Sequence, residues 1–253
     1  MRPEPSEDHS SRDGPAYYAV GASTRLRDIR AILHPPYTAW HLSYVVIGSL
    51  LAPKVNWSTL VGAVIAFFLA VGVAAHVLDE LRGRPLGTLL PKNLLIASAV
   101  VSLSGAVAIG IVGLLRWGPW FGLFITLGVV LVLVYNLELF GGRLHTDLGF
   151  ALAWGAFPVL VAAYAQEQSL RLSAIILACA AALLSAAQRS LSNPARRIRR
   201  RAISVEGSIV YDDGTVEQLS RSYVLYPLEK TLRCLSWAII ILAFSLLLFR
   251  LGY

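Results

Sequence analysis

Seven apolar stretches run through this chain, over residues 37–53, 58–78, 94–115, 120–139, 148–165, 172–187 and 235–249. A bilayer core about 30 Å thick needs roughly 20 mostly apolar residues in a helix to cross it. Inside hydrocarbon every backbone N–H and C=O has to be satisfied within the segment, so stretches of this kind can only be helices. The last two are short and reach the interface through flanking polar residues and local thinning of the bilayer. The pattern predicts an all-α fold, a polytopic transmembrane helical bundle of about seven helices.

Composition points the same way. Of 253 residues, 56% are hydrophobic and 15% charged, where soluble domains carry about 25% charge; the mean hydropathy is +0.63. A net charge of +7 raises the question of nucleic acid. In a membrane protein, however, Lys and Arg gather in cytoplasmic loops and meet anionic headgroups, so no nucleic acid is expected. With the N-terminus inside, 18 of the 22 Lys and Arg fall on one side, leaving Lys54, Arg116, Arg171 and Arg250 on the other. The split predicts a multi-pass protein of the cell membrane with a cytoplasmic N-terminus.

Residues 1–30 read as a polar, disordered tail without the apolar core of a signal peptide. Residues 31–253 read as one membrane domain, interrupted at about 195–222 by a basic cytoplasmic insert. There Asp212-Asp213-Gly214 lies between β-prone runs, which predicts a hairpin. Cys179 and Cys234 are expected to be free thiols acting as small apolar residues. Pro53, Pro91, Pro119 and Pro194 fall at or just outside span ends. Pro158 falls inside the fifth span, and predicts a kink with a neighbour serving the freed carbonyl.

Ionisable groups near membrane depth are the candidates for function. In the segment AAHVLDELRGRPLGTLL, His76, Asp79 and Glu80 share one helical face, and Arg82 and Arg84 follow at once. Carboxylates there suit Mg²⁺ and arginines suit phosphate oxygens; a charged helix end that simply meets water is the competing reading. A second cluster, Glu138, Arg143, His145 and Asp147, falls in the loop after the fourth span on the same side. His145 suits a base near neutral pH, and Asp147 or Glu138 a substitute ligand. Asp147 reads first as the N-cap of the fifth span. The run Arg196, Arg197, Arg199, Arg200 and Arg201 reads first as an anchor for anionic headgroups and second as a diphosphate binder. His41, inside the first span, reads as a hydrogen-bonded packing residue.

The order of these features resembles the UbiA-type family of intramembrane aromatic prenyltransferases. HPPYTAWHLSYVVIGSLLA from His34 is similar to the family's first helix, and DLGFALAWGAFPVLVAAYA from Asp147 to its fifth. The second span ends where the family carries the motif Asn-Asp-x-x-Asp-x-x-x-Asp, here Ala75 to Gly83 with Asp79 at the centre. The resemblance implies transfer of an isoprenoid from a prenyl diphosphate to a lipophilic acceptor, assisted by Mg²⁺. It implies catalytic roles for Asp79, His76 and Glu80, metal binding by Asp79 and Glu80, and diphosphate binding by Arg82, Arg84 and Arg189. The departures are specific. One Asp of three survives, no carboxylate lies between Gln188 and Arg201 where a second Asp-rich motif belongs, and the chain has seven spans rather than nine. These losses leave room for a non-catalytic scaffold, a lipid-binding subunit or small transporter, or a membrane terpene cyclase.

Overall fold

The computed structural model describes residues 16–19 and 24–253. Eight helices are found there: α1 Arg25–Leu33, α2 Pro35–Leu50, α3 Trp57–Leu81, α4 Lys92–Trp117, α5 Phe121–Asn136, α6 Asp147–Glu167, α7 Leu172–Arg201 and α8 Arg221–Leu251. Each of the seven apolar stretches is helical. Five helices, α3, α4, α6, α7 and α8, are long and apolar enough to cross a membrane. The other two, α2 and α5, have 16 residues each, about 24 Å of helix. On α4, Val100, Val101, Val112 and Leu115 are all exposed. Apolar surface of that extent is stable only against hydrocarbon or a partner.

Two packed centres hold the bundle. One gathers Val71, Ala74 and Ala75 of α3, Leu95 of α4, Val132 and Tyr135 of α5, and Trp154 of α6. The other gathers Trp40 and Tyr44 of α2, Val159 of α6, Ala178 and Ala181 of α7, and Ile239 of α8. Helix approach in the second is close. A Cβ at Gly48 would lie 2.8 Å from the Val159 carbonyl oxygen, and one at Gly155 would lie 2.6 Å from that of Ala181. Only glycine allows α2, α6 and α7 to meet there.

Pro158 behaves as its position predicts. Just before it, Ala151–Ala156 widens into a π-helical turn. The carbonyl four residues back, on Trp154, receives no bond from the proline nitrogen and accepts instead from His41 Nδ1 at 2.8 Å. Helix α3 widens in the same way over Phe68–Ala75, directly ahead of His76, without a proline.

Three expectations are corrected. The tail is not disordered throughout: residues 1–15 lie outside the described residues, but Ala16 and Ala19 are buried, and α1 buries Asp28, Ala31 and Ile32. Apolar groups on a short amphipathic helix find cover against α3. Second, Pro194 lies inside a helix, because α7 runs on through the arginine run to Arg201. The extension leans on α8, where Arg199 forms a bidentate pair with Glu229, one contact at 2.8 Å. The hairpin is therefore smaller than the insert, with β1 Ser208–Val210 pairing antiparallel with β2 Val216–Gln218. Third, the side chain that caps α6 is Thr146, accepting from Gly149 N–H at 3.0 Å; Asp147 is the first helical residue.

At the end of the bundle opposite the arginine run, Arg250 donates to the carbonyls of Leu50, at 2.7 Å, and Ala52. It serves carbonyls at the end of α2 that have no helical partner.

Candidate functional site

The charged ends of α1, α3, α5 and α7 meet at one end of the bundle, and most of those charges are used locally. Glu80 is 0% exposed. It accepts from Leu86 N–H at 2.9 Å, Thr88 N–H at 2.9 Å and the Thr88 hydroxyl at 2.8 Å. Asp28 of α1 holds the same loop from the other side, accepting from Leu89 N–H at 2.8 Å. Arg84, in the left-handed region at φ 54°, donates to the Leu90 carbonyl at 2.7 Å and the Thr88 carbonyl at 3.2 Å. Arg82 donates to the Leu137 carbonyl at 2.6 Å and pairs with Glu138 at 2.8 Å. Three residues singled out for metal or phosphate therefore build the loop between α3 and α4 and tie it to α5.

His76 and Asp79 lie elsewhere. The His76 ring stacks on that of His34, centroids 4.3 Å apart and planes 18° from parallel, and its Nδ1 lies 3.2 Å from the Gly72 carbonyl. His34 ends α1 in the left-handed region and donates from Nδ1 to the Ile32 carbonyl at 3.0 Å. Burial first, and His76 beside it second, hold the His34 pKa well below the ordinary histidine range. Asp79 is not drawn into the loop.

Arg189, Arg196 and Arg200 stand seven and then four residues apart, on one stripe of α7. Arg189 is engaged: it pairs with Asp147, donates to the Tyr135 hydroxyl at 2.6 Å, and lies 5.0 Å over the Phe150 ring. The second cluster does come together. His145 stacks on Tyr135 at 4.5 Å, its Nδ1 lies 3.2 Å from the Tyr135 carbonyl, and Glu138 is 3.9 Å away. Arg143 is exposed on the loop. His34 and His76 thus stack beside the end of α3 that carries Asp79, and Arg189, Arg196 and Arg200 share one stripe of α7.

The sequence points to Arg82, Arg84 and Arg189 as diphosphate cations and to Arg196 and Arg200 first as an anchor. The signal that separates them is spacing. Positions 196 and 200 share a helical face once α7 is carried past Pro194, while 197 and 201 turn outward and are exposed. Nothing in the local sequence marked His34 or Tyr135.

Two apolar cavities lie within the bundle. One, of about 270 Å³, lies between α5 and α6, with Tyr135 among its walls beside Leu131, Leu152 and Phe157. The other, of about 190 Å³, runs along α3, α4, α5 and α6 from Ser58 and Arg116 to Trp154. The Trp154 ring meets that of Tyr135 at 5.6 Å.

A Mg²⁺ site of the kind the resemblance implies needs several oxygen ligands converging on one point. Among the described residues no group of three or more His, Cys, Asp and Glu is placed to hold a metal ion. Glu80 is occupied by the Leu86 and Thr88 amides of the loop. The donor set does not fit. No family model, curated protein or solved structure matches the chain.

Proposed function

We propose that the chain binds a prenyl diphosphate within the membrane and passes its prenyl group to a lipophilic acceptor. The anionic head lies between Arg196 and Arg200, and the hydrocarbon along the groove between α5 and α6. We read the arginine end of the bundle as cytoplasmic, on the strength of the 18-to-4 division of Lys and Arg. The observation that carries the reading is the arginine stripe of α7, with Arg189 held on Asp147 and Tyr135, beside an apolar cavity that reaches Tyr135.

Arginine suits this role. A guanidinium stays charged and binds phosphate oxygens in a fork, so two of them neutralise the charge that grows on a departing diphosphate. Low surrounding polarity strengthens that effect. Asp79, at the end of α3, is the group available to take a proton from the acceptor.

The test is binding and turnover in lipid nanodiscs. Farnesyl diphosphate should bind with and without Mg²⁺, and Arg196→Ala with Arg200→Ala should weaken it about a hundred-fold, as expected for two charged hydrogen-bonding partners. Asp79→Ala should leave binding in place and abolish prenylation of a lipid extract followed by mass spectrometry. Absence of binding in both conditions sinks the proposal.

The unfitting metal donors favour one second reading, a lipid-binding subunit without catalysis. It predicts the same binding and no prenylated product from any extract.

A further inference from the structure

In the half of the bundle away from the arginine run, α3, α4, α5 and α6 wall the groove that holds the cavity of about 190 Å³. From Ser58 to Val71 its α3 wall rises about 20 Å, enough to pass the middle of a hydrocarbon core about 30 Å thick. Small residues leave the space: Gly62, Ala66 and Ala70 of α3, Ala106 and Gly110 of α4, and Gly128 of α5. Gly62 differs from Gly48 and Gly155, where a Cβ would strike a neighbouring carbonyl. A Cβ at Gly62 would meet nothing closer than Ile109 at 3.9 Å. A glycine inside a helix is destabilising relative to alanine, and close helix approach does not require this one. Hydroxyls and charge occur in the wall at one end only, on Ser58, Thr59 and Arg116. Ser58 is engaged, donating to Asn56 Oδ1 at 2.8 Å. Thr59 is 6% exposed, and its hydroxyl has no hydrogen-bond partner among the described residues. Arg116 is exposed and pairs with no carboxylate among them, whereas Arg171 on the same side pairs with Glu167 at 2.7 Å and Arg250 serves the end of α2.

We infer that this groove holds one chain of an anionic phospholipid from the leaflet opposite the arginine run, with its phosphate at Arg116 and Thr59. The inference goes beyond the prenyl diphosphate reading and does not use it. Ala66, Ala106, Gly110 and Gly128 are half-buried, and Val112 at the edge is 65% exposed, so the groove opens sideways. A chain from the surrounding bilayer can therefore enter without crossing water. Apolar walls alone would not select a lipid, because lipid tails are alike in polarity and as apolar as the helices themselves. Selection comes from the end of the groove. A guanidinium binds phosphate oxygens in a fork, and a hydroxyl adds a further donor. A zwitterionic head carries its own cation beside the phosphate and gains less from Arg116. Trp117 in the wall and the exposed Trp120 next to it mark the depth of the headgroups, where amphipathic rings settle.

The experiment takes the full chain from nanodiscs of phosphatidylglycerol and phosphatidylcholine in equal amounts, moves it to detergent and weighs it by native mass spectrometry. A phosphatidylglycerol with a diazirine on one chain maps the contacts by cross-linking. Phosphatidylglycerol should be retained in preference to phosphatidylcholine, with cross-links on Ala66 and Ala106. Arg116→Gln should lower the preference about ten-fold, as the loss of one charged hydrogen-bonding partner implies, and Thr59→Val should lower it less. Gly62→Leu fills the groove where a Cβ has room, and should release both lipids and remove the cross-links. Its thermal unfolding without added lipid should not fall below that of the wild type. If it does fall, the bundle has loosened, and Arg116→Gln, a change at an exposed and unpaired residue, decides alone. Equal retention of the two lipids by the wild type overturns the inference, and so does a preference that survives Arg116→Gln. Cross-links confined to the exposed Val101 and Ile111 of α4, outside the groove, overturn it as well.

Discussion

The ends of α3 and α7 each place a burst of charge directly after a long apolar run. At the end of α3 the charges turn back into structure. Glu80 is covered by Leu86 and Thr88, Arg84 by loop carbonyls, and Arg82 by Leu137 and Glu138. At the end of α7 the charges divide by helical face: Arg199 pairs with Glu229 of α8, while Arg196 donates to Asn193 one turn back at 2.7 Å. The difference follows from what comes next in the chain. After α3 the backbone breaks at Arg82 and enters a loop whose buried N–H groups need acceptors. After Pro194 the helix continues, so its N–H groups are already served and its side chains are left to other partners.

The largest effect should come from Glu80. Glu80→Ala leaves the Leu86 and Thr88 amides buried without an acceptor and should lower stability by about 3 kcal/mol. Glu80→Gln should recover part of it, since the amide oxygen still accepts. Thermal unfolding in detergent reads both, and a shift indistinguishable from wild type would remove the contrast between the two ends. Arg199→Ala comes next. It strands the nearly buried Glu229 carboxylate and should cost about 2 kcal/mol, while Arg196→Ala, on the neighbouring face, changes stability little. Equal losses for these two would mean that α7 does not divide its arginines by face.

Acid should weaken the wall that His34 and His76 form. Because burial lowers the His34 pKa in the fold, the unfolded chain binds more protons as pH drops below the ordinary histidine value of about 6.5. Stability is then complete above that pH and declines below it. Thermal unfolding between pH 7.5 and 5 should show the decline, and His34→Asn, which tolerates the left-handed backbone, should flatten it. A slope unaffected by the substitution would assign the titration to another group. The smallest effect belongs to Arg82. Its pair with Glu138 is 44% and 37% exposed, and exposed pairs contribute at most about 1 kcal/mol, so Arg82→Ala should shift unfolding only slightly.

The two π-helical turns show how far local reading extends. The turn before Pro158 was foreseeable, since a proline removes a donor wherever it stands, and the structure answers with His41 on the Trp154 carbonyl. The turn before His76 contains no proline and follows from packing around Val71, Ala74 and Ala75. The carboxylates divide similarly. Helical spacing placed His76, Asp79 and Glu80 on one face, and His76 does stack on His34 beside the end that carries Asp79. The groups that engage Glu80 lie six and eight residues ahead, in a loop with no periodicity.

Sequence alone determined the seven apolar stretches, their helical state, the unequal division of Lys and Arg, and the breaks at Pro158 and Asp212-Asp213-Gly214. These follow from backbone hydrogen bonding and side-chain polarity, which act within a few residues. Tertiary structure alone decided which groups meet: Arg189 and the Tyr135 hydroxyl, His41 and the Trp154 carbonyl, Arg82 and the Leu137 carbonyl. Those pairings join residues more than fifty positions apart, and their geometry depends on how the helices pack, which no local pattern encodes.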